Sequence, residues 1–330
     1  MTVDMSDLIA TLALFEAEDR LALLDMAGYP KTGVLRWLFA LQAGFYFGND
    51  RRDDRRAAMI DLAEHYYDRT DGRCNFMDLN DRAFRLSERQ DIRERLTEGR
   101  TAEAYRDTRQ NFGLVIEHMN KSVMQTMDPR HDRFSALLPG AISGAGLLTY
   151  SARLSALRDD PVGQVRAFVE ACERLQVFYA VAGFSIIPRT MSSRTQGDLY
   201  PVLRRFPGIL YEDGVGFSLE IEDRTDVIRD VNWLTAIDDA MLAHLGGLER
   251  VRGSLSGAVE LHAYAGGIVF QAGPAPRIGD VEGGGTPMAY QEVNDLLKPL
   301  RFSDWVMPYL WTPDGVDRMD ATEEWVRRFD

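Results

Sequence analysis

At 330 residues the chain can fold as one large domain or two smaller ones, and it is long enough to bury a sizeable core. Its 45% hydrophobic and 27% charged residues describe an ordinary globular protein and exclude a disordered, collagenous or coiled-coil chain. Thirty-eight basic residues against 51 acidic ones leave a net charge of −13, which excludes phosphate-backbone binding as the main activity. An acidic surface of this kind is attracted to a basic protein partner, because complementary fields raise encounter rates.

Asp4 and Asp7 precede the first apolar run, Leu8 to Phe15, where a secretory signal would need positive charge. Val34 to Phe47 is rich in aromatic and branched groups and predicts a buried strand, broken by the polar run Asn49 to Arg56. Met59, Leu62, Ala63 and Tyr66 then form one apolar helical stripe that packs on that strand. From Asp81 to Gln110 charged and polar residues dominate, which predicts a solvated connection with some helix. A second strand–helix pattern starts with Leu147 to Leu157. Asp160 is placed as an N-cap and Pro161 as a first helical residue for the stripe Val162, Val165, Phe168, Val169, Cys172 and Leu175. Val177 to Ile187 follows as a buried strand that ends at Pro188, too short an apolar run to span a bilayer. With no signal or membrane span in view, the expected location is the cytoplasm.

Ser192 to Thr195 is a polar segment, followed by Tyr200 to Arg205 and the turn Phe206-Pro207-Gly208. Phe217, Leu219 and Ile221 alternate with Ser218, Glu220 and Glu222, which predicts a strand with an acidic outer face. Leu234, Ile237, Met241 and Leu245 have helical spacing, stopped by Gly246-Gly247. Val259 to Ala263, Gly266-Gly267 and Ile268 to Phe270 predict a hairpin. Gly283 to Gly285 form a turn before Thr286 and Pro287, a cap and first-turn pair for a helix carrying Tyr290, Val293, Leu296 and Leu297. The fold class is therefore α+β, with largely antiparallel sheet layers, packed amphipathic helices and two strand–helix–strand units. Residues 1–110 form an N-terminal α+β part with the charged connection, and 111–330 form the remaining α+β region.

A search for chemistry finds little. No lysine follows a phosphate-binding glycine loop; Lys31, Lys121 and Lys298 are the only lysines, which reads as codon usage. Ser143 departs from a nucleophile elbow because its second glycine comes one residue early, so it reads as a turn. The five histidines show no metal-ligand spacing; His262 reads as a solvent-facing strand residue, and Cys74 and Cys172 as small core residues. Glu220, Glu222, Asp223 and Asp226 lack the spacing of a calcium loop and read as a solvated face. Trp233 reads as a core anchor. No cofactor and no metal are expected.

Several short motifs nevertheless occur in one order along the C-terminal part: Arg205-Phe-Pro-Gly208, Val231-Asn-Trp-Leu-Thr235, Leu245-Gly-Gly-Leu248, His262-Ala-Tyr-Ala-Gly-Gly267, Gln271-Ala-Gly273, Gly279-Asp280, Leu297-Lys-Pro-Leu300 and Trp325-Val-Arg-Arg-Phe-Asp330. With Cys172-Glu-Arg-Leu175 and Gly183-Phe184 before them, this series resembles the TsiV-like immunity proteins of type VI secretion; the first 110 residues match only in general pattern. The resemblance implies an immunity protein that binds a cognate toxin encoded nearby, best a nuclease of the VRR-Nuc class, and covers its active site without turnover. Asn232, Trp233, Gly246, Gly247, Tyr264, Gly266, Gly267 and Gly273 are then fold-building motif residues. The toxin contacts are expected among exposed acids: Glu212, Asp213, Glu220, Glu222, Asp223 and Asp226, with Asp314, Asp317 and Asp320 as a second patch. Three other readings stay open: immunity to an ADP-ribosyltransferase or deaminase, a non-catalytic adaptor of the secretion apparatus, and an enzyme using His262 and Tyr264 in a glycine-lined pocket.

Overall fold

The computed structural model describes residues 5–21, 27–28, 37–101, 109–119, 131–140, 144–188, 197–212 and 214–330. Ser143, Asp213 and the 192–195 segment lie outside them. In chain order the elements are α1 (Met5–Ala17), β1 (Ala27–Gly28), β2 (Trp37–Phe47), α2 (Arg52–Arg69), β3 (Phe76–Leu79), β4 (Arg82–Arg85), α3 (Arg89–Thr101), β5 (Phe112–Glu117), β6 (Arg133–Leu138), β7 (Gly146–Ala152), α4 (Leu154–Asp159), α5 (Pro161–Leu175) and β8 (Tyr179–Pro188). They continue with α6 (Tyr200–Arg205), α7 (Gly214–Glu220), β9 (Leu234–Asp238), α8 (Asp239–His244), α9 (Leu248–Ser254), β10 (Val259–Tyr264), β11 (Gly267–Ala272), α10 (Met288–Leu297) and α11 (Arg318–Val326).

Among the described residues the strands join one sheet in the order β10-β11-β9-β8-β2-β7-β6-β5-β3-β4, with β1 beside β2. Each pairing is antiparallel. At the centre β2 pairs with β8 from Trp37↔Pro188 to Tyr46↔Tyr179 and with β7 on its other side. Both faces of β2 are buried, which explains its near-continuous apolar run. Phe45 faces the helical layer, its ring 5.0 Å from Phe168 of α5, while Tyr46 points the opposite way, 5.1 Å from Phe217 of α7.

The first strand–helix pattern is realised as β2 and α2, whose Met59, Ile60, Leu62, Ala63, Tyr66 and Tyr67 are buried. In the second, Asp160 caps α5 by accepting from the Gly163 amide at 2.9 Å, and Pro161 opens the helix. The expected β10–β11 hairpin is present, closed by the two-residue turn Ala265–Gly266 with Gly267 opening β11, and Cys74 and Cys172 are buried free thiols.

Four expectations need correction. Within the 81–110 stretch, residues 81–101 are not a solvated connection: they form β4 and α3, and α3 buries Ile92, Leu96 and Gly99; residues 102–108 lie outside the described residues. Its charge density belongs to the outer helix face, where Arg93 and Arg100 pair with Glu64 and Asp61 of α2. The Leu147–Leu157 run is divided, with β7 ending at Ala152 and α4 beginning at Leu154. The Leu234–Leu245 run is likewise strand β9 followed by helix α8, because Thr235 and Ala236 are buried between β8 and β11 as well. Asp238 starts that helix by accepting from the Met241 amide. Helix α10 begins at Met288 with Pro287 at the cap position and no side-chain cap, so Thr286 does not play that part.

Candidate functional site

The 217–222 strip reads as an acidic strand from its alternation; it is instead the end of helix α7 and the turn that follows it. Phe217, Leu219 and Ile221 fit either period, but only the helical one leaves Leu219 exposed while Gly214, Phe217, Ser218 and Ile221 are buried. Burial therefore decides against the strand.

Glu212 is not a surface acid. Its side chain is fully enclosed, with one oxygen accepting from Tyr46 Oη and the other 2.8 Å from Arg229 Nη1. Arg229 Nε also bonds Asp230 at 2.8 Å, and Asp230 Oδ2 is held by Arg328 Nη2 at 2.7 Å. Tyr179 Oη donates to Asp230, and the Tyr309 hydroxyl lies against Arg229 and donates to the Tyr211 carbonyl. The two arginines stack on Trp325. Two acids and two arginines make the cluster neutral, so a charged group can be buried here with a partner on each side. Burial alone would raise the Asp230 carboxyl, but Arg229 and Arg328 carry it below the ordinary carboxylate range. For Glu212 burial outweighs Arg229 and its carboxyl is raised. Gly44 makes room for it, since a Cβ there would sit 2.7 Å from the Glu212 carboxyl carbon.

The other described acids of the first patch stay at the surface in two ways. Glu220 accepts from the backbone amides of Val306 and Met307, the latter at 2.8 Å, and so fastens the 302–307 segment to α7. Glu222, Asp223 and Asp226 are exposed. Arg224 joins Asp226 to Asp304 at 3.2 Å each, bringing a fifth acid that sequence spacing could not reveal, 78 positions (304 − 226) along the chain. The hydrogen bond from Arg224 holds the Asp226 carboxyl below its usual range. In the second patch Asp314, Asp317 and Asp320 are exposed, but Asp317 is engaged as the cap of α11, accepting from the Met319 and Asp320 amides.

Of the motif residues, Asn232, Trp233 and Gly267 are buried, while Gly246 is exposed and the others lie in between. The Asn232 amide bonds the Gly208 carbonyl at 3.1 Å and lies where a Cβ on Gly183 would be, 1.9 Å from its oxygen. Trp233 is buried and donates to the Gly273 carbonyl at 3.0 Å; that carbonyl also receives Gln271, whose own oxygen meets His262 at 2.8 Å. Tyr264 reaches the Ile237 carbonyl, and Gly267 lies under its ring. Gly246, Gly247, Gly266 and Gly273 all have positive φ, a conformation that other residues adopt only with strain. Arg205 grips Asp280 with two 2.9 Å bonds, joining two further motifs.

His262 is half-buried rather than solvent-facing. It lines a groove of about 880 Å³ between α5 and the edge strand β10, together with Val162, Arg166, Glu260 and Gly273. Its Nε2 is engaged by Gln271, and burial raises the Tyr264 phenol so that it keeps its proton. Among the described residues no group of His, Cys, Asp or Glu could hold a metal ion, and no helix is long and apolar enough to cross a membrane.

Comparison with known proteins bears on the whole arrangement. The chain matches the Pseudomonas aeruginosa T6SS protein PA0821 in fold, with a TM-score of 0.75 and 20% identity over 98% of this chain and 91% of that one. No curated protein matches. Residues 144–329, more than half of the chain and the stretch that carries the motif series, match the family described as type VI immunity for VRR-NUC. The chain belongs to that immunity family.

Proposed function

We propose that this protein binds a cognate VRR-NUC effector and neutralises it by covering its active site, with no turnover of its own. The observation that carries this reading is the family match across residues 144–329. A net charge of −13 supports it, because a nuclease must offer a basic cleft to the phosphates of its substrate, and an acidic protein can occupy that cleft in their place. Nucleic acid itself is repelled by the same charge, so the partner is the toxin. The place of action is the cytoplasm, where such a toxin meets nucleic acid. Several motif residues are buried among β8, β9 and β11, so the family series maintains the fold and the contact is made by surface acids.

The test is co-purification with a catalytically inactive form of the toxin encoded beside it, followed by a cleavage assay with the active toxin. The expected result is a stable complex and loss of cleavage at equimolar inhibitor. Undiminished cleavage in the presence of folded protein would exclude the reading. Neutralisation of an ADP-ribosyltransferase or deaminase instead would keep the immunity role and replace the toxin class.

A further inference from the structure

Soluble proteins expose single apolar side chains freely, but a cluster of large ones held on rigid backbone marks a contact surface. Among the described residues nine large hydrophobic side chains are well exposed, and four of them lie on two segments fastened to each other: Val215 and Leu219 on α7, and Val306 and Met307 on the 302–307 segment. Their exposures are 49%, 52%, 81% and 68%. Val215 and Leu219 are four residues apart and share one helix face. The segments are joined by the Glu220 bonds to the Val306 and Met307 amides and by the Arg224 bridge to Asp304. Beneath them Phe217, Phe302 and Trp305 form a packed aromatic trio with centroids 5.1–6.1 Å apart. The apolar residues are thus displayed on held backbone, which loses little further freedom on binding.

The 302–307 segment and the stretch that follows α7 also carry the exposed acids Glu222, Asp223, Asp226 and Asp304, with Arg224 as the cation between the last two. Apolar anchors accompanied by charge are the anatomy of a protein interface, and the sign of that charge selects a basic partner. We infer that Val306 and Met307, flanked by Leu219 and Val215, are the anchor on which the toxin nuclease seats, while these acids face the basic rim of its substrate cleft. This rests on the proposed function, and it adds that retention of the toxin comes from the apolar anchor and its capture from the acids. The unbranched thioether of Met307 can fit an irregular recess, which suits a surface that must match one toxin and reject others.

The test uses the purified full chain and the inactive toxin, with association and dissociation rates measured at low and high salt. The double variant Val306→Ser/Met307→Ser is expected to dissociate at least ~30-fold faster, with association little changed. The triple variant Glu222→Lys/Asp223→Lys/Asp226→Lys is expected to associate ~10-fold more slowly and to lose the salt dependence of association. Asp314→Lys/Asp320→Lys serves as the comparison and should leave dissociation unchanged. Unchanged melting temperatures for all three variants guard against unfolding. If wild type binds and the anchor variant dissociates no faster, the inference is overturned and the proposed function stands. If wild type does not bind, the function fails first and the inference with it.

Discussion

Two charged regions lie on the same side of the central strands and use the same residue types to opposite ends. Around Arg229 two acids and two arginines are buried, hydrogen-bonded and balanced. From Glu220 to Asp226, with Asp304, acids outnumber cations and remain at the surface. Charge that is enclosed must be neutralised where it stands, whereas charge left in water is solvated and its ion pairs are worth little. Glu212 and Glu222, ten positions apart in one sequence stretch, fall on opposite sides of that division.

The comparison breaks most sharply at its buried end. Arg229→Met should lower unfolding free energy by about 3–5 kcal/mol in urea titrations, because Glu212 and Asp230 both lose a buried cation. A neutral outcome would mean that packing alone holds the region. Asp230→Asn comes next, at about 2–3 kcal/mol, since it removes the charge shared by Arg229 and Arg328. Glu212→Gln should cost less, about 1–2 kcal/mol, because burial already disfavours the Glu212 carboxylate and an amide can still accept a hydrogen bond. The order of these two variants, measured in one denaturation series, sharpens how unequally the acids are ionised.

At the exposed end, reversing Glu222, Asp223 and Asp226 should change unfolding free energy by about 0.5 kcal/mol or less per site while altering toxin association. A large loss of stability would move those acids into the structural class. The smallest effect concerns Asp330, held at about 2 by its hydrogen bond from Arg301 despite some burial, and also bonded by Asn294. Its folded value is depressed, so its contribution to stability is present above the ordinary carboxylate range and lost as pH falls from about 4 toward 2. With 41% of the side chain exposed the contribution is screened by solvent, and Asp330→Asn should only slightly flatten the acid limb of a stability-against-pH curve. Glu212 works in the other direction. Its raised value gives stability that is full below the ordinary range and lost as pH rises through the folded value.

Much of this architecture was legible along the chain where local chemistry and burial agree. Asp160 and Pro161 announce α5, and the apolar stripes of α2 and α10 announce their inner faces. Alternation around Gly266–Gly267 announces the edge hairpin. The failures share a cause. Phe217, Leu219 and Ile221 satisfy two periods at once, and Leu234 to Leu245 crosses a strand–helix boundary while keeping helical spacing. Of the candidate contacts, Glu222, Asp223 and Asp226 lie at the surface as expected, while Glu212 does not.

The sequence by itself determined the acidic character, the α+β composition and the ordered motif series that belongs to the family, because these depend on residue identity and short spacing. Only the tertiary structure decided which acids are enclosed and which apolar side chains are exposed. Enclosure of Glu212 requires Tyr46, Arg229 and Gly44, and exposure of Val306 and Met307 on a supported surface requires Glu220. Those partners come from elements far apart along the chain, and the field and solvent around a charge are set by what folding brings beside it.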